Sequence, residues 1–171
     1  MIIMFVTNVT CLVLRLTFIH GKGLIMMKSE MKPETRQKLK ALLLHHESFR
    51  EYPYLDSTGH LTIGIGRNLS NRGISYTEAI ALLDDDISYF DSNLSRLLYF
   101  FSSLDETRQI ALIDMCFNLG IHGFLAFKNM LHYLEEKDFD NAAEEILNSK
   151  AAKQNPDRYK QLADMMRTGK F

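Results

Sequence analysis

The stretch from Glu47 to Gly66 constrains the fold most, because a helical pattern ends there and a tight hairpin begins. The segment from Pro33 to His46 carries leucines at helical spacing, namely Leu39, Leu42 and Leu43. The turn Ser57-Thr58-Gly59 then leads into residues 60–66, which alternate like a strand and end in closely spaced glycines. We therefore predict a helix followed by a hairpin that folds back toward Glu47.

Two carboxyl groups and one hydroxyl group lie in this stretch, on Glu47, Asp56 and Thr62. Hydrolysis of a glycosidic bond uses one protonated carboxyl, which donates to the leaving oxygen, and one ionised carboxylate, which activates water or stabilises positive charge on the sugar. Glu47, at a helix end that we expect to border a buried face, suits the first role, and Asp56 suits the second. The hydroxyl of Thr62 both donates and accepts, so it suits the holding of that water.

Each of the three residues also has a purely structural interpretation. Glu47 would be a solvated carboxylate at a helix end, Asp56 a turn residue and Thr62 a β-branched strand former. The three residue types together, at this spacing, favour the catalytic interpretation.

The order of these residues resembles the phage-type lysozymes of glycoside hydrolase family 24. Asp56 follows Glu47 by nine residues, and Thr62 comes six further on, inside Thr-Ile-Gly-Ile-Gly. The resemblance covers roughly Pro33 to the end of the chain. It implies an α+β fold that is mainly α, with a small β-hairpin sheet in an N-terminal lobe, a helical C-terminal lobe and a long helix joining the two.

Capping patterns place the later helices. Ser75-x-x-Glu78 opens a helix that we predict to run to about Tyr99, and Ser103-x-x-Glu106 opens the next one. That second helix is apolar on all sides around residues 110–117, as expected of a central buried helix, and it should stop at Gly120. Residues 138–149 form an amphipathic pattern, and a last helix is predicted to begin with Asn155 as cap and Pro156 in its first position.

The resemblance assigns further residues to the site. Phe117 matches a family position that lines the saccharide cleft, although an aromatic residue in this helix also suits the core. Arg158 would reach back toward Glu47 and favour its ionised form. Arg67 stands where the family often has a histidine, which puts in doubt an ion pair anchored by that histidine. Other cleft-lining positions also differ from the usual residues, at Asn68, Met130 and Glu145.

Composition excludes several classes of protein. With 171 residues, 46% of them apolar, the chain allows one domain or two small lobes that share a core. A formal net charge of -1 gives no basic footprint for nucleic acid. Two cysteines, Cys11 and Cys116, make no disulfide framework, and the six histidines show no ligand spacing. We expect no metal site and no cofactor.

Three interpretations stay open for residues 1–26, an apolar extension that precedes the lysozyme domain predicted at 27–171. They are a signal-anchor, a genuine element of the domain, and a non-native extension, since Met26, Met27 and Met31 each offer a start. The uncharged run of fourteen residues is shorter than the roughly eighteen that a membrane span needs. Membrane contact is expected only through residues 1–25.

The resemblance implies a phage or prophage endolysin that hydrolyses the β-1,4 bond between N-acetylmuramic acid and N-acetylglucosamine in bacterial peptidoglycan and so causes bacteriolysis. Such an enzyme is made in the bacterial cytoplasm and acts on the periplasmic cell wall after release, and we expect a monomer. Two alternatives are a lytic transglycosylase, which cuts the same bond, and a catalytically inactive peptidoglycan-binding module.

Overall fold

A computed structural model describes residues 31–171, so the predicted extension at 1–26 and Cys11 lie outside the described residues. The elements in chain order are α1 (Pro33–His46), β1 (Arg50–Leu55), β2 (Leu61–Gly64), β3 (Arg67–Asn68), α2 (Tyr76–Leu97), a 3-10 turn (Phe101–Ser103), α3 (Glu106–Leu125), α4 (Lys128–Glu135), α5 (Phe139–Leu147), α6 (Lys150–Gln154) and α7 (Pro156–Thr168). The strands form one sheet in the order β1-β2-β3. The mainly helical α+β fold with a small sheet is confirmed.

The described chain divides into two compact units. The first holds residues 31–54 and 63–66, and the second holds residues 55–62 and 67–171. The division therefore runs through the hairpin, since β1 and β2 each contribute residues to both units.

The first unit contains α1, and its predicted buried face is wrong. Leu39, Leu42 and Leu43 are 41%, 50% and 47% exposed, and no residue of α1 is buried. The leucines do recur at helical spacing, but the face that they share stays exposed in the described part of the chain. Helical periodicity shows which residues share a face, and it does not show that other elements bury them.

Helix α2 begins as its sequence predicts. The hydroxyl of Ser75 accepts from the N–H of Glu78 at 3.2 Å, while the N–H of Ser75 donates to Oε2 of Glu78 at 2.8 Å. This reciprocal capping box satisfies two donors at the helix start. The helix ends at Leu97, close to the predicted end near Tyr99.

The core of the second unit surrounds α3. Ala111, Leu112, Met115 and Cys116 of this helix are completely buried, and α7 and α5 pack in the same core. Burial raises the pKa of the Cys116 thiol to about 12, so it behaves as a small apolar side chain. The prediction of a central buried helix is confirmed.

Two predicted helix ends differ from the observed ones, and a third is placed as predicted but lacks a capping bond. The cap of α3 is Asp105, whose carboxylate accepts from the N–H of Arg108 at 3.1 Å, because Ser103 belongs to the preceding 3-10 turn and bonds Phe100. Gly120, with φ 69° and ψ 163°, interrupts α3, but helical residues continue to Leu125. Asn155 does precede Pro156 at the start of α7, yet its side chain makes no capping bond.

Arg108 joins three helices of the second unit. Its Nε donates to the carbonyl of Met166 at 2.7 Å and its Nη2 to the carbonyl of Arg167 at 3.0 Å, both near the end of α7. The guanidinium also pairs with Asp105 and lies 3.6 Å from the ring centroid of Phe139 on α5. Since the Arg108 side chain is only 12% exposed, these contacts act in a partly desolvated setting.

Candidate active site

Glu47 lies in the first unit, at the C-terminal end of α1. Its backbone is extended, with φ -102° and ψ 133°, and its N–H donates to the carbonyl of Leu43 at 2.9 Å. The carboxyl group lies against Gly66, because a Cβ atom added to that glycine would be 3.4 Å from Oε2 of Glu47. The segment that follows the hairpin turn therefore returns to Glu47, as the sequence predicts.

Asp56 lies in the second unit and organises the hairpin turn. Its Oδ1 accepts from the N–H groups of Thr58 and His60, at 2.8 Å and 2.9 Å, and from the Thr58 hydroxyl at 2.7 Å. The His60 N–H, followed by the Thr58 hydroxyl, lowers the pKa of the Asp56 carboxyl below its usual value. Asp56 is therefore ionised at neutral pH, and all of these bonds go to Oδ1, so Oδ2 is left to bind another donor.

Thr62, in the same unit, is 3% exposed, and its hydroxyl donates to the carbonyl of His60 at 3.1 Å. The peptide groups of His60 thus bond both side chains, since its N–H donates to Asp56 and its carbonyl accepts from Thr62. With its proton engaged, the Thr62 hydroxyl has acceptor lone pairs to offer to a water molecule. This backbone link was missed from the sequence, although the Asp-Ser-Thr-Gly turn is typical of a carboxylate that bonds nearby N–H groups.

Arg67 forms an ion pair in spite of replacing the histidine usual in the family. Its guanidinium pairs with the carboxylate of Glu78, and its Nη1 also donates to the carbonyl of Gly73 at 3.0 Å. The hydrogen bonds from Arg67 and then from Ser75 lower the pKa of Glu78 to about 2. An arginine-anchored ion pair therefore ties β3 to the start of α2.

Phe117 is on the surface of α3, so its alternative interpretation as a core residue is wrong. The ring is 45% exposed and touches Phe90 edge-on, with the centroids 6.0 Å apart. An exposed aromatic ring that is held on one edge by a neighbour offers an apolar face to a sugar.

Arg158 bonds Asp114, a partner for which the sequence gives no indication. Nε of Arg158 donates to Oδ1 of Asp114 at 2.7 Å, and Nη2 donates to the Asp114 carbonyl at 3.2 Å. The expected approach of Arg158 to Glu47 stays a prediction. The facing positions of Asp114 on α3 and Arg158 on α7 follow from tertiary packing, for which the sequence holds no local signal.

The described residues hold neither a cluster of metal-ligating side chains nor a single helix that could cross a membrane. Among residues 31–171, no three His, Cys, Asp or Glu side chains are grouped so that they could hold a metal ion. No single helix in this range has the length and apolarity to cross a membrane, although α3 and α4, bent by 99°, meet those two criteria as a pair.

Comparisons with known protein sequences identify the family of the chain. A sequence model of the family described as phage lysozyme matches residues 44–164, which is most of the chain. Two proteins of Dictyostelium discoideum, "Probable T4-type lysozyme 1" and "Probable T4-type lysozyme 2", are 28% and 29% identical over alignments that cover 77% of this chain and 94% of each relative. The "SAR-endolysin" of Escherichia phage Mu is 30% identical over 66% of this chain and 63% of its own length. The match spans Glu47, Asp56, Thr62, Phe117 and Arg158, and the chain belongs to the phage lysozyme family.

Proposed function

We propose that this chain is a glycoside hydrolase, a muramidase that cuts the β-1,4 bond between N-acetylmuramic acid and N-acetylglucosamine in bacterial peptidoglycan. The arrangement of Asp56 and Thr62 around the peptide groups of His60 supports this most directly. In this arrangement Oδ2 of the ionised Asp56 and the lone pairs of the Thr62 hydroxyl can both accept hydrogen bonds from a water molecule. The activation of a water molecule requires such acceptors. Membership of the phage lysozyme family supports the substrate class.

In this mechanism Glu47 is the general acid. Its carboxyl group donates a proton to the glycosidic oxygen as the bond from that oxygen to the anomeric carbon breaks. Its side chain, at the end of α1 and against Gly66, is exposed and therefore open to a substrate. The cycle closes when Asp56 returns the proton of the attacking water to solvent and Glu47 regains one.

Asp56 and Thr62 act on the water. Oδ2 of Asp56 accepts one proton of the water while Thr62 Oγ1 accepts the other, which directs an oxygen lone pair at the anomeric carbon. The water oxygen bonds to that carbon and its proton passes to Asp56, so atoms and charge balance over the reaction. By family resemblance the configuration inverts, an outcome that requires space for water between the two carboxyl groups.

Phe117 and Arg158 complete the proposed site. The exposed ring of Phe117 contacts the apolar face of a bound sugar, and family resemblance gives Arg158 a supporting role in the site. Asp114 holds the guanidinium of Arg158 by its Nε and Nη2 atoms.

The biological setting proposed here is that of a phage or prophage endolysin. The chain is a monomer made in the bacterial cytoplasm, needs no cofactor, and breaks down the cell wall after release, so that the cell lyses. The name of the phage Mu relative, "SAR-endolysin", supports this setting. We assign the lysozyme domain to residues 27–171 and leave the extension at 1–26 without a catalytic role.

Mass spectrometry of the sugar ends released from purified peptidoglycan tests this function. The wild-type chain is compared with Glu47→Gln at equal folded concentration. Glu51→Gln is the matched control, because it removes a nearby exposed carboxylate on β1 that has no proposed role. We expect reducing muramic ends from the wild type and the control, and nearly none from Glu47→Gln.

Other products would identify the alternatives. Anhydro-muramic ends would show a lytic transglycosylase and leave Asp56 without its assigned water. Binding to the wall with no cleavage would show an inactive peptidoglycan-binding module. Full activity of Glu47→Gln would refute the assignment of the general acid.

A further inference from the structure

The side chain of Thr58, in the hairpin turn of the second unit, contacts two ionisable groups. Its Oγ1 lies 2.7 Å from Oδ1 of Asp56 and 2.7 Å from Nδ1 of His60. A hydroxyl group has one proton to donate and lone pairs with which to accept. Since the ionised carboxylate of Asp56 can only accept, the Thr58 proton points to Oδ1 and is not available to His60.

The tautomer of His60 follows from this single proton. Because Thr58 uses its proton in the bond to Asp56, its contact with His60 is a hydrogen bond when Nδ1 carries a proton and donates it to Oγ1. A neutral ring protonated at Nδ1 meets this condition, and so does a charged ring. A neutral histidine side chain in water prefers the proton on Nε2, so the contact with Thr58 selects the less common form.

The three side chains thereby form a relay, in which His60 donates to Thr58 and Thr58 donates to Asp56. Oδ1 of Asp56 also accepts from the backbone N–H groups of Thr58 and His60, at 2.8 Å and 2.9 Å. The relay adds a third donor to this oxygen, and the His60 ring fixes the direction of that donor. Rotation of the carboxylate about its Cβ–Cγ bond would break all three bonds, so Oδ2 stays the oxygen that is open to water.

The ring of His60 also acts on Asp56 by charge, but weakly. Nδ1 lies 3.8 Å from Oδ1, and among residues 31–171 no other ion pair includes Asp56. The two side chains are 40% and 30% exposed, so solvent screens their attraction. The bond from the His60 N–H and then the bond from the Thr58 hydroxyl lower the pKa of Asp56 most, and the charge of His60 contributes least.

We propose that Thr58 and His60 are positioning residues, which hold Asp56 ionised with its Oδ2 free for the attacking water and so extend the activity of the enzyme to lower pH. This role rests on the proposed function, since it takes Asp56 as the general base. Neither side chain needs to touch the substrate, because both act through Oδ1. Loss of a donor to the ionised carboxylate raises its pKa, so the pH below which kcat/KM falls should rise.

Nitrogen-15 NMR of the imidazole rings tests the relay without any measurement of activity. The His60 signal is assigned by its loss in His60→Ala, and spectra are recorded at alkaline pH, where the ring is neutral. We expect the Nδ1–H form in the wild type and the usual Nε2–H form in Thr58→Val, which keeps the shape of the side chain and removes the hydroxyl. A neutral His60 with its proton on Nε2 in the wild type would overturn the relay, whether or not the chain is a muramidase.

The pH dependence of Asp56 tests the consequence of the relay. Carbon-13 NMR of its carboxyl carbon follows the ionisation directly, and the pH profile of kcat/KM follows it through activity. We expect Thr58→Val to move both transitions to higher pH, and Thr58→Ser, which keeps the hydroxyl, to restore them. At the pH optimum of Thr58→Val, kcat should fall about fivefold and KM should change by less than about twofold, since one hydrogen bond is lost and the substrate is not contacted.

His60→Ala tests whether the ring acts through Thr58. This substitution keeps the backbone N–H and carbonyl of residue 60, so the backbone bonds to Asp56 and Thr62 remain. We expect the transition of Asp56 to move in the same direction as in Thr58→Val, but by less. In the Thr58→Val background, His60→Ala should add little, because the hydroxyl that carries its effect is already absent.

Two variants elsewhere in the second unit are matched controls that should leave the Asp56 transition in place. Thr77→Val removes the hydroxyl of an exposed threonine on α2. His132→Ala removes a histidine that, like His60, lies four residues from a carboxylate, with Nε2 3.7 Å from Oε1 of Glu136.

Two further results would overturn the positioning role. One is a transition of Asp56 that does not move in Thr58→Val, and the other is a full effect of His60→Ala in the Thr58→Val background. The carbon-13 titration distinguishes these failures from a failure of the proposed function. An Asp56 that titrates as expected in a chain that releases no sugar ends would refute the muramidase and uphold the relay.

Discussion

Gly66 and Gly64 offer a direct test of where the carboxyl group of Glu47, the proposed general acid, lies. Both glycines have positive φ, 72° and 65°, so an alanine at either position is strained. Only at Gly66 would the new Cβ meet Glu47, at 3.4 Å from Oε2 and 3.6 Å from Cδ, whereas nothing lies within 4 Å of a Cβ at Gly64. Gly66→Ala therefore changes the surroundings of Glu47, and Gly64→Ala is a control with matched strain.

The strain of a left-handed alanine should lower the free energy of unfolding by about 1–2 kcal/mol in both variants. In Gly66→Ala the methyl group would lie in van der Waals contact with Oε2 and take the place of water beside it. Since this contact restricts the positions open to the Glu47 carboxyl, and catalysis is sensitive to the position of a reacting group, we expect kcat to fall about tenfold in Gly66→Ala. Gly64→Ala should stay within about twofold of the wild type, because its strain acts on stability and not on Glu47.

The assay combines urea unfolding, followed by circular dichroism, with the rate of release of reducing ends from peptidoglycan. Rates are normalised to the folded fraction in each sample, so that stability and catalysis are separated. Equal rates for Gly66→Ala and Gly64→Ala, at equal folded fraction, would refute the placement of Glu47 against Gly66.

Three further predictions follow from the ion pairs and the exposed aromatic ring. Folding lowers the pKa of Glu78 from 4.5 to about 2, so its ionised form stabilises the fold fully above pH 4.5 and progressively less as the pH falls toward 2. The difference in Tm between the wild type and Glu78→Gln should therefore shrink over that range. A difference in Tm that does not change with pH would contradict the ion pair with Arg67. Arg108→Met should lower the free energy of unfolding by about 3 kcal/mol, because two carbonyl bonds and an aromatic contact are lost. Arg96 makes one exposed hydrogen bond, to Asn93, so Arg96→Met should lower the free energy of unfolding by under about 0.5 kcal/mol in a urea titration. Similar losses of stability in both variants would contradict the conclusion that Arg108 holds α3, α5 and α7 together. Phe117→Ala should raise KM in the reducing-end assay with little change in Tm because the ring is 45% exposed, and an unchanged KM would exclude its contact with the sugar.

The parts of the fold that sequence predicted well are those determined by neighbouring residues. The capping box at Ser75 and Glu78 places the start of α2 correctly, because both bonds form within four residues. The apolar run around Leu112 and Met115 predicts the central helix correctly, because a segment that is apolar on all sides has no face to expose.

The parts of the fold that could not be predicted from the sequence depend on contacts between residues that are distant in the chain. Asp114 and Arg158 meet only because α3 and α7 belong to one core, and their separation of 44 residues leaves no local pattern. The exposure of Phe117 has the same origin, since an aromatic residue in a helix is buried or exposed according to which helices surround it. In the candidate site, residue types and spacing made Asp56 and Thr62 candidates, but the His60 peptide groups that bond both appear only in three dimensions.

The burial of Cys116 has a consequence for handling the protein under oxidising conditions. With its thiol pKa raised to about 12, only roughly one molecule in 100,000 carries the reactive thiolate at pH 7, and the side chain has no exposed surface. Oxidants and thiol reagents therefore reach Cys116 only when the core of the second unit opens. The rate of labelling of Cys116 can be followed in the peptide that contains it. This rate reports how often the second unit unfolds.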